Sequence, residues 1–152
     1  MHISFLEAIT SIAHWLAVII TVVTVIAAFS IHYLMLGWLN ERANSVVRRR
    51  RPRVLFIVLM TLLAHIMEIW LFGIVFALML VFPAMGHLAE LPNAGLLDTV
   101  YFSATVFSTL GFGDLTPKGP LAFMVGVESV CGLMLITWSA SFTYLEMRRN
   151  WE

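Results

Sequence analysis

Three stretches of the chain are almost unbroken in apolar residues: about Ile12 to Leu39, Val54 to Phe82, and Leu121 to Leu145. Crossing a hydrocarbon layer about 30 Å thick takes roughly 20 apolar residues at helical rise, so each stretch predicts a membrane-spanning helix. The first is too long for the apolar core of a signal peptide, has no basic residue ahead of it and lacks a convincing small-residue cleavage site, so it is expected to be retained. The polar break between the first two stretches is strongly basic, with Arg42, Arg48, Arg49, Arg50, Arg51 and Arg53 around Pro52. The break between the second and third is of another kind. From Pro83 to Pro120 it is too polar, and too often interrupted by Pro92, Gly95, Gly111, Gly113 and Pro117, to be a fourth span. Within it Asp98 to Thr109 contains no breaker and can form about three helical turns, with Asp98 or Thr99 at its start. A helix that short cannot cross. Followed directly by Gly-x-Gly, it predicts a re-entrant loop, because lipid tolerates non-helical backbone only where protein buries it or where it lines water.

Composition agrees with the pattern: 61% of the 152 residues are hydrophobic and 12% charged, where a soluble chain is roughly half apolar and a quarter charged. Nine basic and nine acidic residues cancel, so charge gives no argument for a nucleic-acid partner. Their placement is informative. Eight of the nine Lys and Arg fall between Arg42 and Arg53 or at Arg148 and Arg149, and Lys118 alone lies on the other side. The positive-inside rule then puts the basic turn and the C-terminus in the cytoplasm, and the N-terminus with its Glu7 and the segment from Pro83 to Pro120 outside. The cluster Arg48 to Arg53 reads as a topology signal that also meets anionic lipid headgroups. It does not read as a voltage sensor, whose charges are spaced along an embedded helix rather than consecutive around a proline. Trp15, Tyr33 and Trp38 near the ends of the first span are either interfacial anchors or packed aromatics. The single Cys131, in an apolar run, is a small buried hydrophobe. It has no plausible His and Asp set, and the five His residues show no close metal-ligand spacing, so nothing argues for an enzyme.

The chemistry concentrates in Thr109-Leu110-Gly111-Phe112-Gly113-Asp114. Preceded by a short helix that begins near Tyr101-Phe102-Ser103, and followed by Pro117, this hexapeptide resembles the selectivity filter of the potassium channel pore-domain family. The resemblance covers about 65 residues, between two spans and on the face expected to be external. It implies an all-α membrane protein: three transmembrane helices plus a re-entrant pore helix and filter loop, assembled as a homotetramer. Residues 54–152 would be the pore domain, with an outer helix, pore helix, filter and inner helix; residues 1–53 would be an extra N-terminal helix and its basic cytoplasmic loop. Carrying a dehydrated cation requires successive carbonyls aimed at one axis, hence backbone of alternating hand, and glycine supplies the left-handed positions cheaply. The resemblance thus assigns K+ sites to the carbonyls of Thr109, Leu110, Gly111 and Phe112, with Gly113 completing the strand and the Thr109 hydroxyl at its inner end. Asp114, Tyr101 and Thr105 are the expected filter supports. Leu110 stands where relatives more often have Val or Ile, Phe112 where they have Tyr, and Thr105 where some have an acid.

On the inner helix, Met134, Thr137 and Ser141 fall on one helical stripe, extended by Leu145, and are expected to line the cavity or to pack between helices. Gly126 and Gly132 would let helices approach or bend. Two acids lie inside spans, Glu68 with His65 one turn before it and Thr61 beyond, and Glu128 about 140° around the helix from Ser141. Acids at membrane depth need partners. Both are expected to face the outer-helix layer, where the first span offers Thr21, Thr24 and His14, either as packing groups or, with His65, as a pH-sensitive gate. The implied function is passive potassium conduction in a bacterial inner (plasma) membrane, with no cofactor beyond K+ in the pore. A weakly selective cation channel and a non-conducting membrane scaffold or regulatory subunit would share the architecture. Few residues follow Leu145, so gating is expected from the pore, lipid, pH, voltage or a partner.

Overall fold

The structure, a computed structural model, describes residues 11–47 and 50–151. Its elements are α1 (Ile12–Val46), α2 (Arg50–Leu80), a 3-10 turn (Pro83–Met85), β1 (His87–Leu88), α3 (Leu96–Phe107), β2 (Pro117–Lys118) and α4 (Leu121–Trp151). Helices α1, α2 and α4 are each long and apolar enough to cross a membrane. The first and last run past the apolar stretches that announce them, whereas α2 begins before Val54 and ends at Leu80, short of Phe82. Arg42 and Arg53, assigned from sequence to a polar turn, are helical, and α4 continues past Leu145. Pro52 is tolerated because it sits in the first turn of α2, where backbone N–H groups have no intrahelical acceptor. The 35 residues of α1 make a rod about 52 Å long, so it tilts or projects beyond a hydrocarbon layer of about 30 Å. Glu7, Arg48 and Arg49 lie outside the described residues.

Within lipid, apolar surface gains little by leaving its surroundings for other apolar surface, and helices associate through close approach at small residues. Two glycines do this for α3. A Cβ on Gly73 of α2 would stand 2.7 Å from the Val100 Cα, and one on Gly132 of α4 would stand 2.0 Å from the Phe107 carbonyl oxygen. One helix therefore holds the front half of α3 and the other its last residue. Around these crossings Phe72, Phe76 and Met79 from α2, Phe102 and Phe107 from α3, and Leu121, Met124 and Leu135 from α4 form the main core. The Phe76 and Phe102 rings meet at 5.4 Å, and Cys131 is a buried free thiol.

Helix α1 packs against α2 and α4, with a second cluster at Leu36, Leu39, Ala43 and Ile57. Trp38 packs on Phe56 at 6.3 Å, whereas Trp15 and Tyr33 are exposed. Ile19, Val23 and Ile26 on α1 and Leu55, Leu59 and Leu62 on α2 also face outward, a surface that suits hydrocarbon rather than water.

The polar segment is closed at its base by an antiparallel pair, His87 opposite Lys118 and Leu88 opposite Pro117. Gly86 and Gly119, both at positive φ, let the two chains cross, since a Cβ on Gly86 would lie 2.0 Å from the Lys118 carbonyl oxygen. Glu90 locks the crossing by accepting from the Thr116 amide at 2.6 Å and the Thr116 hydroxyl at 3.0 Å. The amide bond holds the Glu90 carboxyl below its ordinary range. Helix α3 begins at Leu96, earlier than Asp98. Gly95 is its N-cap, and Asp98 serves from inside the first turn, accepting the Gly95 N–H at 2.8 Å.

Candidate functional site

The last turn of α3 sets the loop that follows. The Ser108 N–H reaches the Ala104 carbonyl at 3.1 Å, the Thr109 N–H reaches Val106 at 2.9 Å, and the Gly111 N–H folds back to Thr105 at 3.1 Å. Carbonyls that would otherwise be orphaned at the helix end are thereby satisfied. Positive φ then falls on alternate residues, 58° at Thr109, 49° at Gly111 and 77° at Gly113. A pleated strand sends neighbouring residues to opposite faces; this alternation of hand suits the carbonyl ladder of a conduction path instead. At the two glycines it costs little. At Thr109, a β-branched residue, it costs on the order of 1–3 kcal/mol, and the amide bond to Val106 helps to hold it.

The loop is braced from the far side of the helix, where the Tyr101 hydroxyl donates to Asp114 Oδ2 at 2.9 Å. Thr105 is buried, but its hydroxyl donates to the Phe102 carbonyl of its own helix at 2.8 Å. Its contact with the loop is through its backbone carbonyl, not its side chain. Residues 108–114 are all exposed on the single chain, with Leu110 at 59% and Phe112 at 64%. Met134, Thr137, Ser141 and Leu145 form an exposed stripe on α4. The Thr137 and Ser141 hydroxyls donate to the carbonyls of Leu133 and Thr137 in their own helix, which leaves their lone pairs outward. Gly132 is a point of close helix approach, while a Cβ on Gly126 would meet nothing within 4 Å.

Both intramembrane acids are fully buried. Glu68 takes Nδ1 of His65 at 2.9 Å on Oε2 and Nδ1 of His32 at 2.9 Å on Oε1. Helix α1 thus supplies the partner, but through none of the residues expected. Thr21 and Thr24 donate to Ala17 and Ile20 within α1, and Nδ1 of His14 has no partner among the described residues. Thr61 likewise turns to the Val58 carbonyl of its own helix. Sequence reasoning missed His32, whose only signal is a histidine deep in an apolar run. The five-histidine reading also needs correction, because His32, His65 and Glu68 bring ligand atoms within 4.8 Å of one another across two helices.

Glu128 faces α3 rather than α1. Ser103 Oγ lies 2.5 Å from Glu128 Oε1 and 2.9 Å from the Ile69 carbonyl oxygen. One hydroxyl proton can serve only one of these acceptors, so both bonds close only when the carboxyl brings a proton of its own. Ser103 thereby links α2, α3 and α4 at one point, while Glu128 Oε2 has no partner among the described residues. Glu128 is on the side of α4 away from the exposed stripe at Ser141, as its angular offset predicts.

Residues 54–147, from the start of the second span to near the end of α4, match the family described as ion channel. The inward rectifier potassium channel Kirbac3.1 of Paramagnetospirillum magnetotacticum is 30% identical over 115 residues, which cover 74% of this chain and 36% of that relative. The match therefore spans little more than a third of the relative's length. No solved structure matches the chain. The three apolar helices, with a short helix and an alternating-hand loop between the last two, make up an integral membrane protein, and with the match over residues 54–147 they establish that the chain belongs to the ion channel family, built on the potassium channel pore module.

Proposed function

We propose that the chain conducts potassium passively through a homotetrameric pore, and that each copy contributes one filter strand. The observation that carries this reading is the alternation of positive φ at Thr109, Gly111 and Gly113. In it the carbonyls of Thr109, Leu110, Gly111 and Phe112, with the Thr109 hydroxyl, replace the hydration shell of K+, and Asp114 and Tyr101 brace the strand. Four copies close the ring. Assembly also covers residues 108–114, a polar loop that lipid would not tolerate bare. The C-terminal end of α3 carries partial negative charge toward the cavity, lined by Met134, Thr137 and Ser141. The relative named a potassium channel supports the choice of ion.

Residues 54–152 act as the pore domain in this reading, and residues 1–53 add a helix and a basic loop that contacts anionic headgroups. The arginine distribution argues for an N-terminus outside and a C-terminus in the cytoplasm of a bacterial inner membrane. A weakly selective cation channel is the second reading, favoured by Phe112, which lacks a hydroxyl with which to brace the filter from behind. Reconstituted in liposomes, the protein should pass potassium and rubidium far better than sodium. Equal sodium flux would select the second reading, and no flux of any cation would refute conduction.

A further inference from the structure

We propose that His32, His65 and Glu68 form a site for a divalent transition metal of the zinc class, one that fastens α1 to the pore module. The three residues come from two helices and place their ligand atoms within 4.8 Å of one another. Two imidazole nitrogens and a carboxylate are a donor set that suits zinc and its neighbours, whereas magnesium and calcium take oxygen donors. Around a tetrahedral zinc ion bonded at about 2.0–2.2 Å, donor atoms stand roughly 3.4 Å apart. Here each Nδ1 is 2.9 Å from its Glu68 oxygen, so the hydrogen-bonded donors need to part by only about 0.5 Å to stand at metal-bound spacing. Three protein donors leave a fourth position for water or another ligand.

The surroundings fit the tautomers such an ion requires. Without metal, the tautomer with its proton on Nδ1 lets each ring donate to Glu68. With metal on Nδ1, the proton moves to Nε2, and the Nε2 of His32 has Ser139 Oγ at 3.3 Å to receive it. Donation from the far nitrogen to a fixed oxygen is what orients most metal-bound histidines. Trp138 packs at 5.3 Å from the His32 ring and Phe107 at 5.7 Å from the His65 ring, a dry shell that restricts ring rotation. His32 and Glu68 are fully buried, while His65 keeps 14% of its side chain exposed on the single chain. Because Ser139 belongs to α4 and Phe107 ends α3, the bound ion would tie α1 to every helix of the pore module.

The test uses the full chain in lipid nanodiscs, stripped with chelator and titrated with zinc alone. One tightly held zinc per chain is expected, with a rise in melting temperature that chelator reverses. His32→Gln and Glu68→Gln should lose both, and Ser139→Ala should bind about 10–100-fold more weakly, while His87→Gln, at the distant strand pair, should match the wild type. Should the first two variants fail to fold, His65→Cys keeps a donor at the site. Loaded with cobalt, it should show a sulfur-to-metal charge-transfer band that the wild type lacks, alongside the visible bands of four-coordinate cobalt. No stoichiometric zinc on the wild type, unchanged zinc in well-folded His32→Gln or Glu68→Gln, or no new band in His65→Cys would each overturn the proposal and leave a hydrogen-bonded clasp.

Discussion

Substituting Gly132 by alanine tests how the loop is held. The added Cβ would stand 2.0 Å from the Phe107 carbonyl oxygen, 2.7 Å from its carbon and 2.9 Å from its Cα. Every one of these neighbours is backbone, so no side-chain rotation relieves the clash. Ordinary contact begins at 3.4 Å, so α3 and α4 must separate by 3.4 − 2.0, or about 1.4 Å, at the residue that precedes the loop. Overpacking of this kind costs about 1–3 kcal/mol, and backbone on the receiving side argues for the upper end. Alanine returns at most about 1 kcal/mol in helix preference over glycine. The net is a loss of about 2 kcal/mol, roughly a 30-fold shift in the unfolding equilibrium. Gly37→Ala, on the exposed side of α1 where a Cβ meets nothing within 4 Å, should be neutral or stabilising by up to about 1 kcal/mol. Unfolding of both variants in detergent, with cation flux from the same preparations, reads the comparison. Wild-type stability and flux in Gly132→Ala would refute the argument that this contact fixes the loop.

Tyr101→Phe removes the hydroxyl that donates to Asp114 across the exposed loop, so its effect is expected on the loop rather than on overall stability; single-channel recording should show selectivity weakened or openings shortened, while the amount of assembled protein stays unchanged. Glu90 should make the base of the loop acid-sensitive. Its carboxyl is held below the ordinary value of 4.5 chiefly by the Thr116 amide, so its stabilisation is complete above that value and is lost as pH falls through the lowered one. The protection of the Thr116 amide from hydrogen exchange, relative to the intrinsic rate at each pH, should therefore be high at neutral pH and fall in strong acid, and Glu90→Gln should flatten that dependence.

The spans and the short helix between them were legible because run length and breakers report directly on membrane crossing. Boundaries were less so. Helix α3 starts two residues before Asp98 because an acid inside the first turn can satisfy the amide of a glycine that has no side chain to advertise it. Two of the three left-handed residues could be anticipated from Gly111 and Gly113, but Thr109 could not, since nothing in its own chemistry favours that conformation. Sequence also required partners for Glu68 and Glu128 without identifying them. Periodicity fixes angles within one helix and says nothing about the rotation of one helix against another. That rotation brings His32, rather than His14, Thr21 or Thr24, to Glu68, and Ser103 to Glu128. The threonines met their needs locally, on carbonyls one turn back.

The central claim is that the strand from Thr109 to Gly113 selects potassium, and the reversal potential between potassium on one side of a planar bilayer and sodium on the other measures it most directly. For monovalent ions each tenfold preference moves that potential by about 59 mV. The account predicts a displacement of more than about 59 mV toward the potassium side, lost together with conduction in Gly111→Ala. A reversal potential near zero, with current flowing, would contradict it.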